Sequence, residues 1–95
     1  MKINELRPGM RRITVNGKID SISEPRNVNL KTGGTARISD AMISDDTGSI
    51  KLSLWDSQID MVKEGDEISV QNGYTNEFRG ENILNIGRYG TLKRL

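Results

Sequence analysis

Apolar and polar residues alternate along much of this chain, most clearly over residues 13–19. Ile13, Val15 and Ile19 occupy odd positions with polar residues between them. Because successive side chains of a strand point to opposite faces, this period of two predicts a half-buried strand. Asn16 and Gly17 allow an alternative, a two-residue hairpin turn at this point. A bend within one long strand explains the glycine equally well.

Short apolar runs bounded by turn residues predict four further strands. They cover residues 35–43, residues 50–55, the region around residues 68–70 and residues 82–87. A polar loop is expected at residues 25–34, and a turn at residues 44–49. Asp56 is predicted to be the N-cap of a short helix or turn that runs to Val62.

Five strands with one helix-like segment between the third and the fourth predict an all-β fold. This is the element order of a five-stranded OB-fold barrel. A chain of 95 residues has room for one core, so we expect a single domain over residues 1–95. Residues 1–12 form its lead-in, and residues 88–95 form a short C-terminal extension.

The aromatic residues number only four, and Trp55 is expected on the surface. Ile50, Leu52 and Leu54 share one face of the third predicted strand, so Trp55 lies on the opposite face with Lys51. An exposed tryptophan beside a lysine is suited to stacking a nucleobase, with a cation near the phosphate. The alternative is a tryptophan that covers the rim of the barrel.

Tyr74 and Phe78 lie in a polar segment, residues 74–80, which we predict to be the loop between the fourth and fifth strands. In an OB barrel this loop flanks the binding groove. Trp55, Tyr74 and Phe78 would then lie along one track. Phe78 packed against the barrel is the alternative, and Tyr89 is expected to be a packing or tail residue.

Basic residues are placed to reach the same groove, and each by itself is more often a solvated surface charge. As a set they surround the aromatic track: Arg26, Lys31, Arg37, Lys51 and Arg79. Glu24, Glu77 and Glu81 are nearby counter-charges, so we expect binding of moderate strength.

Composition argues against several classes of function. The chain contains no cysteine and no histidine, which removes zinc–thiolate sites and the commonest general base. Asp45 and Asp46 lack the further oxygen ligands that a Ca²⁺ loop needs, and residues 32–34 lack the pattern of a phosphate-binding loop. We therefore expect no metal, no cofactor and no enzymatic activity.

Charge and hydropathy restrict the possible functions less than the absence of cysteine and histidine does. The net charge of +1 does not by itself indicate a nucleic-acid partner. Residues 56–67 are rich in acids and must lie outside any anion-binding face. Apolar runs are too short for a membrane span. The absence of cysteine fits a cytoplasmic protein, and we expect it to be nucleoid-associated.

The run DDTGSIKLSLW, from Asp45 to Trp55, resembles a signature of the single-OB-fold single-stranded DNA-binding proteins (SSBs) of archaea. These are related to the simple eukaryotic SSBs and to domains of replication protein A. The resemblance extends from about Leu6 to Gly90. It includes the turn at residues 63–66 and the aromatic segment at residues 74–80.

The resemblance implies that Trp55, Tyr74 and Phe78 stack on bases and that Val28 and nearby basic residues line the groove. Two features depart from the family. Tyrosine stands at position 74, where crenarchaeal members often have tryptophan, and the chain ends at Leu95 without the glycine-rich, acidic tail of many relatives. We expect either a trimmed domain or another means of recruiting partners.

These observations favour sequence-tolerant binding of single-stranded DNA, and of RNA as well, in replication, recombination or repair. One rival is an RNA- or tRNA-binding module on the same barrel. A second rival is an OB subunit whose groove holds a protein partner. Fold alone does not separate them.

Overall fold

Strands make up most of the computed structural model, which describes residues 1–87 and 89–95. The described elements are a 3-10 helix (Ile3–Glu5), β1 (Arg11–Ile22), β2 (Arg26–Asn29), β3 (Thr35–Ser44), β4 (Ser49–Trp55), α1 (Ser57–Met61), β5 (Glu67–Phe78), β6 (Glu81–Asn85) and β7 (Thr91–Arg94). None of the helices in these residues is long and apolar enough to cross a membrane.

Five of the strands close into a ring, in the order β1, β3, β4, β6, β5 and back to β1. Neighbours are antiparallel except β4 and β6, which are parallel. The single α-helix lies between β4 and β5, the third and fourth strands of the ring in chain order. The predicted all-β OB fold, with a short helix at this place, is confirmed.

Fully buried aliphatic side chains fill the ring, including Ile43, Leu52 and Ile68. The alternation expected for the first strand is confirmed, because Ile13, Val15 and Ile19 all point into the core. Asn16 and Gly17 lie inside β1, so the hairpin alternative is wrong.

Gly17 permits a close approach of β1 and β3. A Cβ atom at this position would lie 3.1 Å from the carbonyl oxygen of Ser44.

Two short strands lie outside the predicted set. β2 falls within the predicted loop at residues 25–34 and forms a hairpin with β3, so that loop is wrong over residues 26–29. β7 falls within the predicted extension at residues 88–95 and pairs with β5, with Leu92 opposite Val70. Each has only four residues, too few for alternation to show. Arg88, the first residue of that extension, lies outside the described residues.

β5 is much longer than predicted and carries the aromatic segment. It runs to Phe78, and only Arg79 and Gly80 form the turn to β6, with φ of 53° and 79°. The loop predicted at residues 74–80 is therefore wrong over residues 74–78. Over residues 72–78 of β5 the buried positions are Gly73 and Thr75, which give the sequence no apolar alternation to detect.

The N-terminal lead-in completes the core. Ile3 and Leu6 are each 4% exposed and pack against the ring. The turn after β3 anchors this segment, because the backbone N–H of Ile3 donates to the Asp45 carboxylate (2.9 Å) and that of Asn4 donates to Thr47 Oγ1 (3.1 Å). The family-like turn thus has a structural role here.

Hydrogen bonds also perturb the acidity of the anchoring carboxylate. Donation from the Thr47 hydroxyl, and from backbone N–H groups that include that of Ile3, lowers the pKa of Asp45 from 3.8 to about 2.

Asp56 precedes α1, as predicted, but its side chain does not cap the helix. Its Oδ1 accepts the backbone N–H of Arg37 at 3.0 Å, and its own N–H donates to the Arg37 carbonyl at 2.9 Å. The predicted capping role is wrong because this carboxylate extends the pairing of β3 and β4 instead.

Candidate nucleic-acid interface

An open groove of about 330 Å³ crosses the outer face of the ring. Strands β2 to β6 all contribute to its lining. We call this feature the aromatic groove, and its lining residues are Arg26, Ile38, Asp40, Lys51, Ser53, Trp55, Asn76, Phe78, Ile83 and Asn85.

Strand register brings these residues together. Trp55 in β4 lies opposite Ile38 in β3, and Ser53 in the same strand is paired with Asp40 on one side and Asn85 on the other. Each pair shares the outward face because side chains alternate in step across paired strands. The inward positions between them belong to the core.

Three aromatic rings are exposed on this outer face. Trp55 is 38%, Tyr74 40% and Phe78 59% exposed. Tyr74 and Phe78 flank Asn76 at alternate positions of β5, and the Tyr74 ring lies against Gly87, close enough that a Cβ there would be 2.8 Å from it. The structure therefore places Trp55 and Phe78 in the aromatic groove and Tyr74 beside it.

The cations in the groove are held by carboxylates. Lys51 Nζ lies 3.1 Å from a Glu81 oxygen, and Arg26 lies 3.2 Å from an Asp40 oxygen. Arg79 lies instead over the ring of Phe78, 5.2 Å from its centroid, a cation–π contact. The charge of the groove is thus nearly balanced.

The structure does not bring every candidate cation into the groove. Arg37 points toward α1, where its guanidinium pairs with Asp60 at 2.9 Å. Lys31 is exposed beyond the end of β2, and Val28 is half-buried on that strand, two residues from Arg26. Neither Lys31 nor Val28 lines the groove as described, although both belong to the hairpin that forms its edge.

Sequence reasoning missed several residues of the groove. Asp40 and the two asparagines, Asn76 and Asn85, were not identified, nor were Ile38 and Ile83. Alternation within β5 indicates that Asn76 faces the groove, because Asn76 shares the face of Tyr74 and Phe78. The alternation is informative only when the strand is known to continue through residue 78.

Metal ligation has no support in residues 1–87 and 89–95. No group of three or more acidic side chains is close enough there to hold a metal ion.

Sequence comparison matches residues 6–94 to a family described as single-stranded DNA binding protein Ssb-like, OB fold. A curated relative, the single-stranded DNA binding protein Ssb of Saccharolobus solfataricus, is 35% identical over 86 residues. The match covers 90% of this chain and 57% of the relative, so the chain spans little more than half of that protein's length.

Two solved structures have a fold similar to that of this chain. The replication factor A related protein from Methanobacterium thermoautotrophicum superposes with a TM-score of 0.82 at 25% identity, covering 100% of this chain and 89% of that one. The second OB-fold domain of replication protein A from Methanococcus maripaludis gives 0.82 at 26% identity, covering 100% and 93%.

Proposed function

The chain belongs to the Ssb-like family of OB-fold single-stranded DNA-binding proteins, and we propose that it binds single-stranded DNA in the aromatic groove. Bases stack on Trp55, Tyr74 and Phe78, while basic side chains around the groove contact phosphates. The chain spans only part of its curated relative, so a role in replication, recombination or repair is part of this proposal.

The observation that carries the proposal is the exposure of three aromatic rings on one face of the ring of strands. Apolar side chains of this size normally fill the core of a small domain. Here aliphatic residues fill the core, and Trp55, Tyr74 and Phe78 remain outside. Stacking contributes roughly 1–3 kcal/mol per base, so three rings suffice for about three to five nucleotides.

Phosphate contacts are proposed for Arg26, Lys51 and Arg79, with Lys31 on the adjoining hairpin. Because Arg26 and Lys51 are already paired with carboxylates, a phosphate must compete with Asp40 and Glu81 for them. This supports binding of moderate strength. Arg37 is not part of the proposed contact set, since it pairs with Asp60 on α1.

The proposed activity is binding rather than catalysis, and the family description likewise names binding. Stacking accepts any base because every base has a π-face, so little sequence preference is expected.

Intrinsic fluorescence of Trp55 tests the proposal, because it is the single tryptophan of the chain. Titration with dT oligomers should quench it. The logarithm of the binding constant should fall with the logarithm of salt concentration with a slope of about −1.5 to −3, as two to four phosphate contacts require. Absence of both quenching and binding at low salt would contradict the proposal and favour a groove that holds a protein partner.

A comparison of dU with rU oligomers, which differ only in the 2′-hydroxyl, separates DNA binding from RNA binding in the same titration. A groove that contacts the 2′-hydroxyl binds the RNA oligomer more tightly. Equal affinities indicate that recognition rests on stacking and phosphate contacts.

A further inference from the structure

Polar side chains form the centre of the aromatic groove, on three adjacent strands. Ser53 in β4 is paired with Asn85 in β6, and Asn76 in β5 lies beside them. Tyr74 and Phe78 flank Asn76 at alternate positions of its strand. A hydrogen-bonding surface therefore lies among the rings proposed to stack bases.

The two asparagines are bonded to each other and leave complementary groups unused. Asn85 Nδ2 donates to Asn76 Oδ1 at 3.0 Å and to the carbonyl of Ile83 at 3.3 Å. Within residues 1–87 and 89–95, the amide N–H₂ of Asn76 and the amide oxygen of Asn85 have no hydrogen-bond partner. The pair thus offers the groove one donor group beside one acceptor.

Strand stability does not account for this choice of residues. Asparagine is depleted in strands, where β-branched and aromatic residues pack better on a pleated surface. Ile83, the residue opposite Asn76, shows that an aliphatic side chain is accommodated on this face. Two asparagines next to each other here point to a hydrogen-bonding role.

We propose that Asn76 and Asn85 hydrogen-bond the Watson–Crick edge of a base that is stacked on a neighbouring ring. This inference rests on the proposed binding of single-stranded DNA. Every base carries a donor next to an acceptor on that edge, as thymine does with its N3–H and O4, so the site accepts all four bases. A paired base has both groups engaged, so the site selects unpaired strands.

Oligomers of N3-methylthymidine test this inference, because the methyl group removes the N3–H donor and keeps the stacking face. Binding to dT and to N3-methyl-dT oligomers is compared by fluorescence anisotropy of the labelled oligomers. The wild-type chain should bind the methylated oligomer about 2- to 12-fold more weakly, the effect of one net hydrogen bond.

Asn85→Ala removes the amide oxygen that accepts the N3–H and should bring the two affinities together. Asn76→Ala removes the donor to O4, so it should weaken binding of both oligomers and keep a difference between them. Asn27→Ala is the matched control, because Asn27 is an exposed strand asparagine that does not line the groove, and it should keep the wild-type difference.

Equal wild-type affinities for the two oligomers, or a full difference retained in Asn85→Ala, would overturn the inference while leaving stacking intact. Failure of the wild-type chain to bind dT at all would instead contradict the proposed function, and the inference with it.

Discussion

Lys51 and Glu81 form an ion pair at the edge of the aromatic groove, with 3.1 Å between the ammonium nitrogen and a carboxylate oxygen. The pair links β4 to the first residue of β6. Its side chains are 27% and 57% exposed, and pairs with such access to water contribute little to stability. If DNA binds as proposed, a phosphate therefore competes with Glu81 for Lys51.

Replacing that competitor should strengthen binding. In Glu81→Gln the shape is kept and Lys51 is released, so affinity for dT oligomers should rise about two- to fivefold at low salt, the scale of an exposed ion pair. The salt slope should steepen by about 0.7, as expected for one more phosphate contact on a single strand. Trp55 quenching at several salt concentrations measures both quantities.

Glu77→Gln is the control for this charge change. Glu77 lies in the same hairpin as Glu81, but within residues 1–87 and 89–95 it forms no ion pair with a cation of the groove, so its variant should shift the affinity much less. An unchanged or weaker affinity in Glu81→Gln would show that Glu81 does not compete with phosphate.

Phe78→Ala should weaken binding of dT oligomers roughly 5- to 150-fold, because stacking of one base is lost. Phe78 is 59% exposed, so the free energy of unfolding should change by only about 0.5 kcal/mol. Trp55 remains as the reporter. Tyr89→Ala removes an exposed aromatic side chain from outside the groove lining and should leave the affinity near that of the wild type.

Gly87→Ala should affect both stability and binding. Its φ of +75° disfavours alanine by about 1–2 kcal/mol, and the added Cβ would meet the Tyr74 ring at 2.8 Å and displace it. Gly65→Ala provides the comparison, since φ is +89° there and nothing lies within 4 Å of the new atom. Urea unfolding should show a lower free energy of unfolding in both variants. Titration with dT oligomers should show a lower affinity in Gly87→Ala alone.

Asp45 should make stability depend on acid pH. Its pKa is lowered in the folded chain from 3.8 to about 2, so its charged form stabilises the fold above about pH 4. That contribution is lost as the pH falls toward 2, where the folded form is protonated too.

Asp45→Asn should therefore unfold at a lower urea concentration than the wild type near neutral pH. The gap between the two urea midpoints should narrow as the pH falls from about 4 toward 2. Asp46→Asn is the control, because the Asp46 carboxylate bonds the exposed Lys2 side chain rather than the backbone. A gap that stays constant down to about pH 2 would contradict the role assigned to the Asp45 charge.

The sequence predicted the parts of the fold that depend on local order. Alternation in β1 and β4 is a property of a single strand, so the inward positions, and the outward position of Trp55, follow from parity alone. Turn-forming residues at positions 44–49 located the turn before β4 as well. Prediction failed over residues 72–78, where glycine and threonine point inward and the alternation carries no hydrophobic signal.

Groove chemistry, in contrast, was decided by the tertiary structure. Lys51 and Glu81 are 30 positions apart, and Arg37 and Asp60 are 23 apart. A one-residue change of register would send a strand's side chains to the opposite face and separate such partners. The sequence determines which residues are present and, through alternation, which face of a strand each one occupies. Only the closure of the ring decides that Lys51 meets a carboxylate, that Arg37 turns to α1, and that Asn76 and Asn85 share a hydrogen bond.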